Sequence, residues 1–169
     1  MTAYTEMNSD SFPIIDPLLD RLDRVSAFLG ISGVTVVDIS KWSIGQHAEH
    51  VVRATSALTI LVLRNHASEG SNVTEALKVA LLKQGFIPRG VAQAPEGTLP
   101  AEETDIDALN QLILKTSNRI RRLADVGPDA AAIHPYLGEM KREEAIRFME
   151  IHLEHHLKIM HEIRLGAHT

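Results

Sequence analysis

Cysteine is absent from all 169 residues, which rules out disulfides, thiolate nucleophiles and sulfur-ligated metals. Long apolar runs are missing too. The longest candidate, "ALTILVLRNH", is broken at Arg64, well short of the ~18 residues that a membrane helix needs. The opening "MTAYTEMNSDSF" has no positive region followed by an apolar stretch, so it does not read as a signal peptide, and the expected location is the cytoplasm. An excess of positive charge is also lacking. The formal net charge is −5, which argues against nucleic acid as a partner, and the basic run Arg119, Arg121 and Arg122 reads as a solvated helix face. Repeats and low-complexity tracts do not occur. What is present, 44% hydrophobic and 23% charged residues, is the composition of one soluble globular domain spanning residues 1–169.

Apolar spacing is helical along nearly the whole chain. Asp16 as N-cap and Pro17 at the first helical position open a helix whose face is Leu18, Leu22, Val25 and Leu29, with Gly30 as its stop. "GISGVTVVDIS" is β-rich but isolated, and a lone strand has no sheet to join, so it reads as an extended connection. A second helix runs from Ser40 to about His66 with the stripe Ile44, Ala48, Val51, Leu58 and Val62. A third spans Ser71 to Gln84, with Val73, Ala76, Leu77, Ala80 and Leu81 facing inward and Gly85 ending it. The long stretch "GFIPRGVAQAPEGTLPAEE" is either a functional loop or padding between distant helix ends. A fourth helix starts near Thr104 or Asp105, where Thr104 with Asp107 resembles a capping box, and buries Ile106, Leu109, Ile113, Ile120 and Leu123. The last runs from about Lys141 to Leu165, with Glu143 and Glu144 favourably placed in its first turn. Four long helices, one shorter helix and no paired strands define an all-α bundle.

The last helix contains "HLEHHLKIM". Its inward stripe is Ala145, Phe148, Met149, His152, His156, Ile159 and Ile163, so two imidazoles interrupt an apolar face one turn apart. A buried imidazole needs partners for both nitrogens, a demand that leucine would not make. At i,i+4 spacing two such rings can share one metal ion. His155 points away from that pair and either supports it from outside or faces solvent. A third ligand must come from elsewhere, and "WSIGQHAEHVVRA" offers two. His50 shares the border of the buried sector with Ala54, Ala57 and Leu61, while His47 lies nearer its centre; spacing does not choose between them. Glu49 and Glu154 point elsewhere on their helices and read as solvated, and His134 before Pro135 reads as a turn residue. A second apolar edge on the last helix, Ile146, Leu153, Leu157 and Met160, exceeds what one bundle face requires and suggests a homodimer.

"KWSIGQHAEHV" followed by "HPYLGEMKREEAIRFMEIHLEHHLKIM" resembles the DinB-like (YfiT-like) superfamily of four-helix-bundle metalloproteins. Members carry a tryptophan at the start of the second helix with a histidine eight residues later, and an HxxxH pair on the last helix. Trp42 with His50, and His152 with His156, match that pattern, as does the "HP…G" turn at His134, Pro135 and Gly138. "IPRGVAQAP" is similar to the connecting loop of one branch. One departure is Ile159, where relatives often carry glutamine.

The resemblance implies a DinB-like bundle with an additional short helix and a long connecting loop. It also implies a divalent metal ion, zinc, nickel or iron, on His50, His152 and His156, with His47, His155 and Trp42 around it. Three neutral nitrogens leave coordination positions open to a thiolate, a substrate carbonyl or water, the mark of a catalytic rather than a structural site. The activities it implies are hydrolysis of a small molecule and transfer of a low-molecular-weight thiol. A non-catalytic metal-braced bundle and a metal-free dimeric binding module are the alternatives. No glutamate follows the first ligand histidine as in HExxH, so no general base is evident.

Overall fold

The computed structural model describes residues 14–66, 75–90 and 93–168. Helix α1 (Asp16–Ser26) has Ile15 as its N-cap, one position earlier than the expected Asp16, which is instead the first helical residue, and the helix ends before Gly30. Leu29 is buried in a separate 3-10 turn, Leu29–Ile31. The β-rich segment that follows forms no strand. Helix α2 (Ile44–Leu63) starts at a complete capping box. The Ser43 hydroxyl accepts from the Gln46 amide, and the Gln46 side chain accepts from the Ser43 amide. Gly45 sits where the helix touches the preceding loop: a Cβ there would lie 3.0–3.1 Å from Ser32, side chain and carbonyl.

Helix α3 (Glu75–Gln84) is followed by the long loop and by α4 (Ile106–Arg121), which is capped by Asp105 through the Ala108 amide. Of the two expected starts it is therefore Asp105 that caps the helix, while Thr104 forms no capping box and has a buried hydroxyl with no partner. Within the bundle α2 packs against both α4 and α5 (Arg142–Gly166), and α1 closes the ring against the same two helices. Arg119 is not purely solvated, since it donates to Ser56 on α2.

Two expectations are corrected. Strands do pair: β1 (Ala131–His134) and β2 (Gly138–Lys141) form an antiparallel hairpin ahead of α5. Its turn is held by the His134 ring, whose Nδ1 accepts from the amides of Tyr136 and Leu137 at 3.2 Å each. Gly138, at φ +71°, supplies the left-handed residue that closes it. The pairing escaped the sequence reading because four-residue strands flanked by a proline turn carry almost no alternation to read.

The second correction concerns α3. Ala76, Leu77 and Ala80, expected inward, are exposed to solvent or cavity, Leu81 is half-buried, and Val73 lies outside the described residues. The helix is held on α5 by a polar contact: buried Lys78 donates to the Glu139 carbonyl at 2.8 Å and pairs with Glu144. Meanwhile Ile146, Leu153, Leu157 and Met160, which suggested a dimer face, are all buried within this one chain, where α5 packs on α1 and α2. No described helix is long and apolar enough to cross a membrane.

Candidate metal centre

The cap at Ser43 fixes where α2 begins, and therefore which way its next two turns face. His47 and His50 both point towards α5 and both are buried. On α5, His152 and His156 stand one turn apart, opposite them. His50 Nε2 lies 3.3 Å from His152 Nε2, and His156 Nε2 lies 3.2 Å from the same atom. Candidate ligand atoms of the three rings all fall within 4.8 Å of one another. The separations of 3.2 and 3.3 Å would allow one ion with bonds of ~2.0–2.1 Å to be shared by these nitrogens.

The remaining ring nitrogens decide which atoms can be ligands. His50 Nδ1–H donates to the Thr98 carbonyl at 2.9 Å, so its Nε2 carries a lone pair. His156 Nδ1 is 2.9 Å from His47 Nδ1, and His47 Nε2 is 2.8 Å from Ser40 Oγ. For His156 Nε2 to offer a lone pair, its proton must sit on Nδ1 and be donated to His47. His47 then carries its own proton on Nε2 and donates it to Ser40. Lone pairs packed this closely repel unless a proton or a cation lies between them. The donor set therefore fits a divalent ion, held by nitrogen alone.

Burial keeps these rings neutral. It pushes His152 and His156 well below the usual imidazole range, helped by the mutual repulsion of the neighbouring histidines. His47 is pushed down to about 4, chiefly by burial and then by His50. His50 is lowered by burial, with the Thr98 carbonyl opposing the shift. Neutral imidazoles at pH 7 are the form that binds a metal without first losing a proton.

Other groups complete the surroundings. Trp42 tilts over His50 at 5.2 Å between ring centres and meets His47 edge-on at 5.4 Å. Phe148 stacks on His152 at 5.7 Å. His155 is outside the cluster, half-buried, and bonds to the Ile87 backbone rather than simply facing solvent. Ile159 is buried in the core. Glu49 is also buried, contrary to expectation: it pairs with Arg53 and accepts from the Ala101 amide. Glu154 is likewise engaged, by Arg21 and Arg24 of α1.

The loop before α4 is thus tied to α2 at successive points, through Gln46, Glu49 and His50. It is no mere padding, because it delivers the Thr98 carbonyl that orients a candidate ligand. Nothing local in the sequence singles out Thr98 or Ser40, since one acts through its backbone and the other through a contact to a side chain seven residues away. The cluster lies at the wall of a cavity of about 700 Å³ formed by α2, α3, α5, the loop and the hairpin.

Comparison with known proteins supplies the context for this geometry. No curated protein and no solved structure matches the chain significantly. A family model, described as the DinB superfamily, matches residues 32–160, which include every ring of the cluster. The chain belongs to the DinB superfamily.

Proposed function

We propose that this chain is a metal-dependent enzyme acting on a small molecule, by hydrolysis or by transfer of a low-molecular-weight thiol. One divalent ion, zinc, nickel or iron, is held by His50, His152 and His156. The observation that carries this reading is the convergence of three imidazoles at a cavity large enough for a drug-sized molecule. An ion that only braced α2 against α5 would need no such space beside it. When bound, the ion supplies Lewis-acid polarisation at its open positions.

The protein's own part is orientation and exclusion of water. The Thr98 carbonyl and the His47–Ser40 pair fix the tautomers of His50 and His156, and Trp42 and Phe148 wall the rings. None of the described residues lining the cavity is Asp or Glu. Proton transfer in the reaction therefore falls to an imidazole, to the Tyr136 hydroxyl or to the substrate itself.

Elemental analysis of protein purified without chelators tests the proposal. Wild type should hold about one ion per chain, and His50→Ala and His156→Ala should both lose it. Wild-type protein free of stoichiometric metal would overturn the reading. A bound ion whose removal by chelator lowers the melting temperature, with no open position accessible to small donors such as azide, would leave only a structural brace.

A further inference from the structure

Among the described residues that line the cavity there is no Asp, Glu, Lys or Arg, and the polar groups outside the histidines are few, Gln84, Gln93 and Thr98 among them. The rest of the wall is aliphatic, proline or aromatic: Ala54, Ala57 and Leu61 from α2, Leu77 and Leu81 from α3, and Phe148 from α5. Away from the ion proposed at the triad, a multiply charged guest would lose its hydration with no described charged group to replace it, whereas an apolar one would gain by leaving water.

His134 breaks the apolar wall. Its Nδ1 is committed as an acceptor to the amides of Tyr136 and Leu137, so the neutral ring must carry its proton on Nε2. No described residue takes that proton, and the residue lines the cavity. The ring meets Phe148 edge-on at 4.7 Å, and Phe148 in turn stacks on His152, so this donor stands on the same side of the cavity as the triad.

We infer that the ligand of this cavity is a molecule with an apolar body and a single oxygen-bearing or sulfur-bearing head, and that the His134 Nε2–H holds that head beside the triad. This rests on the preceding proposal for the metal at the head end. It selects, among the substrates that proposal allows, apolar esters, amides or simple thiols over multiply charged thiols. His134 is here a binding residue with a fixed proton, set in place by the hairpin turn.

Calorimetric titration of straight-chain hydroxamates, from acetohydroxamate to octanohydroxamate, into metal-loaded and metal-free protein tests the inference, with glutathione as the charged comparison. Affinity should rise about threefold to fourfold per added methylene in both forms of the protein, and glutathione should bind more weakly than the longest hydroxamate. His134→Asn retains a side-chain oxygen that can accept the two turn amides but loses the reach of Nε2, so the hairpin should persist. It should weaken every hydroxamate by about threefold to tenfold and leave the chain-length slope intact. Ala57→Phe, at an exposed position on the wall, should flatten the slope for the longer chains and spare acetohydroxamate.

A flat slope in wild type, or glutathione binding as well as octanohydroxamate, overturns the ligand class. Unchanged affinity in a folded His134→Asn overturns the role of His134. Failure of the wild type to take up metal overturns the preceding proposal alone, since the slope in metal-free protein still decides this one.

Discussion

Helices α1 and α3 both lie against α5, and they treat it in opposite ways. On the α1 flank the contact is apolar and shut: Leu18, Leu22 and Val25 have no exposed surface, and Glu154 of α5 clasps Arg21 and Arg24 over the seam. On the α3 flank the contact is the polar anchor of Lys78, while Leu77 remains 53% exposed beside the cavity. One helix thus serves two purposes across its width. Its edge at Leu153 and Met160 is spent on stability, and its edge at His152 and His156 carries two of the three imidazoles that could hold a metal ion. The difference teaches that incompleteness of packing, rather than any one residue, marks the side of the bundle where chemistry can occur.

The sharpest division between the flanks should appear in Leu22→Ala. Truncating a fully buried leucine leaves a cavity that the close-packed seam cannot fill, at a cost of about 2–5 kcal/mol. Urea denaturation of the metal-free protein measures it. Metal stoichiometry below the melting transition should be unchanged, because the three candidate ligands stand on α2 and α5 and α1 contributes none. A loss of metal in the folded variant would break the separation of the two flanks.

On the cavity side the corresponding change is His47→Phe, which keeps a ring but removes the acceptor for His156 Nδ1–H. Metal affinity should fall by about 10–100-fold, as when a ligand histidine loses its orienting partner. Competition with a chromophoric chelator reads that loss. Stability of the metal-free protein should change little, since a buried polar ring is exchanged for an apolar one. An unaltered affinity would show that the His156 tautomer is set by something other than His47.

The same contrast explains what could be read in the sequence. The apolar seam of α1 is legible, because Leu18, Leu22 and Val25 repeat at helical spacing, although its cap at Ile15 and the separate turn at Leu29 are not. His152 and His156 were legible as a pair for the same reason. Choosing His50 over His47 required the family resemblance, since both rings are buried and point the same way. The structure shows why spacing could not separate them: both belong to one run of ring contacts, His47–His156–His152–His50, with His47 behind His156. On α3 the inward assignment failed: Leu77, Ala80 and Leu81 line a cavity instead of a core, and periodicity cannot distinguish an apolar guest from an apolar neighbour. The solvated reading of Glu49 failed because its partner is a backbone amide in a loop fifty-two residues away.

Acid should weaken the cavity side specifically. His47 and His134 are pushed down to about 4 by burial, and His152 and His156 lie well below their ordinary value of 6.5. The unfolded chain therefore binds more protons than the folded one once pH drops below about 6.5. Stability of the metal-free protein should be complete above that value and fall progressively as the pH is lowered towards about 4. Urea midpoints at closely spaced pH values provide the check. His134→Asn should make the decline shallower, whereas Leu22→Ala should shift the whole curve down without altering its slope. A midpoint that holds constant between pH 6.5 and 5 would mean that these rings are not held neutral by the fold.

The smallest expected effect is the one that probes the comparison most directly. Leu77 and Leu22 are the same residue type on helices that both touch α5, and they differ in whether the neighbouring space is filled. Leu77→Ala removes side-chain atoms that already have one side open to the cavity, so few contacts are lost and no new void is created. Its effect on unfolding free energy should stay within about 0.5 kcal/mol, an order of magnitude below the upper range expected for Leu22→Ala. Parallel urea curves of the two variants make the measurement insensitive to errors common to both. If Leu77→Ala proved as costly as Leu22→Ala, α3 would have to close onto α5 in solution. The space beside the histidines would then be filled by protein, leaving no room for a guest.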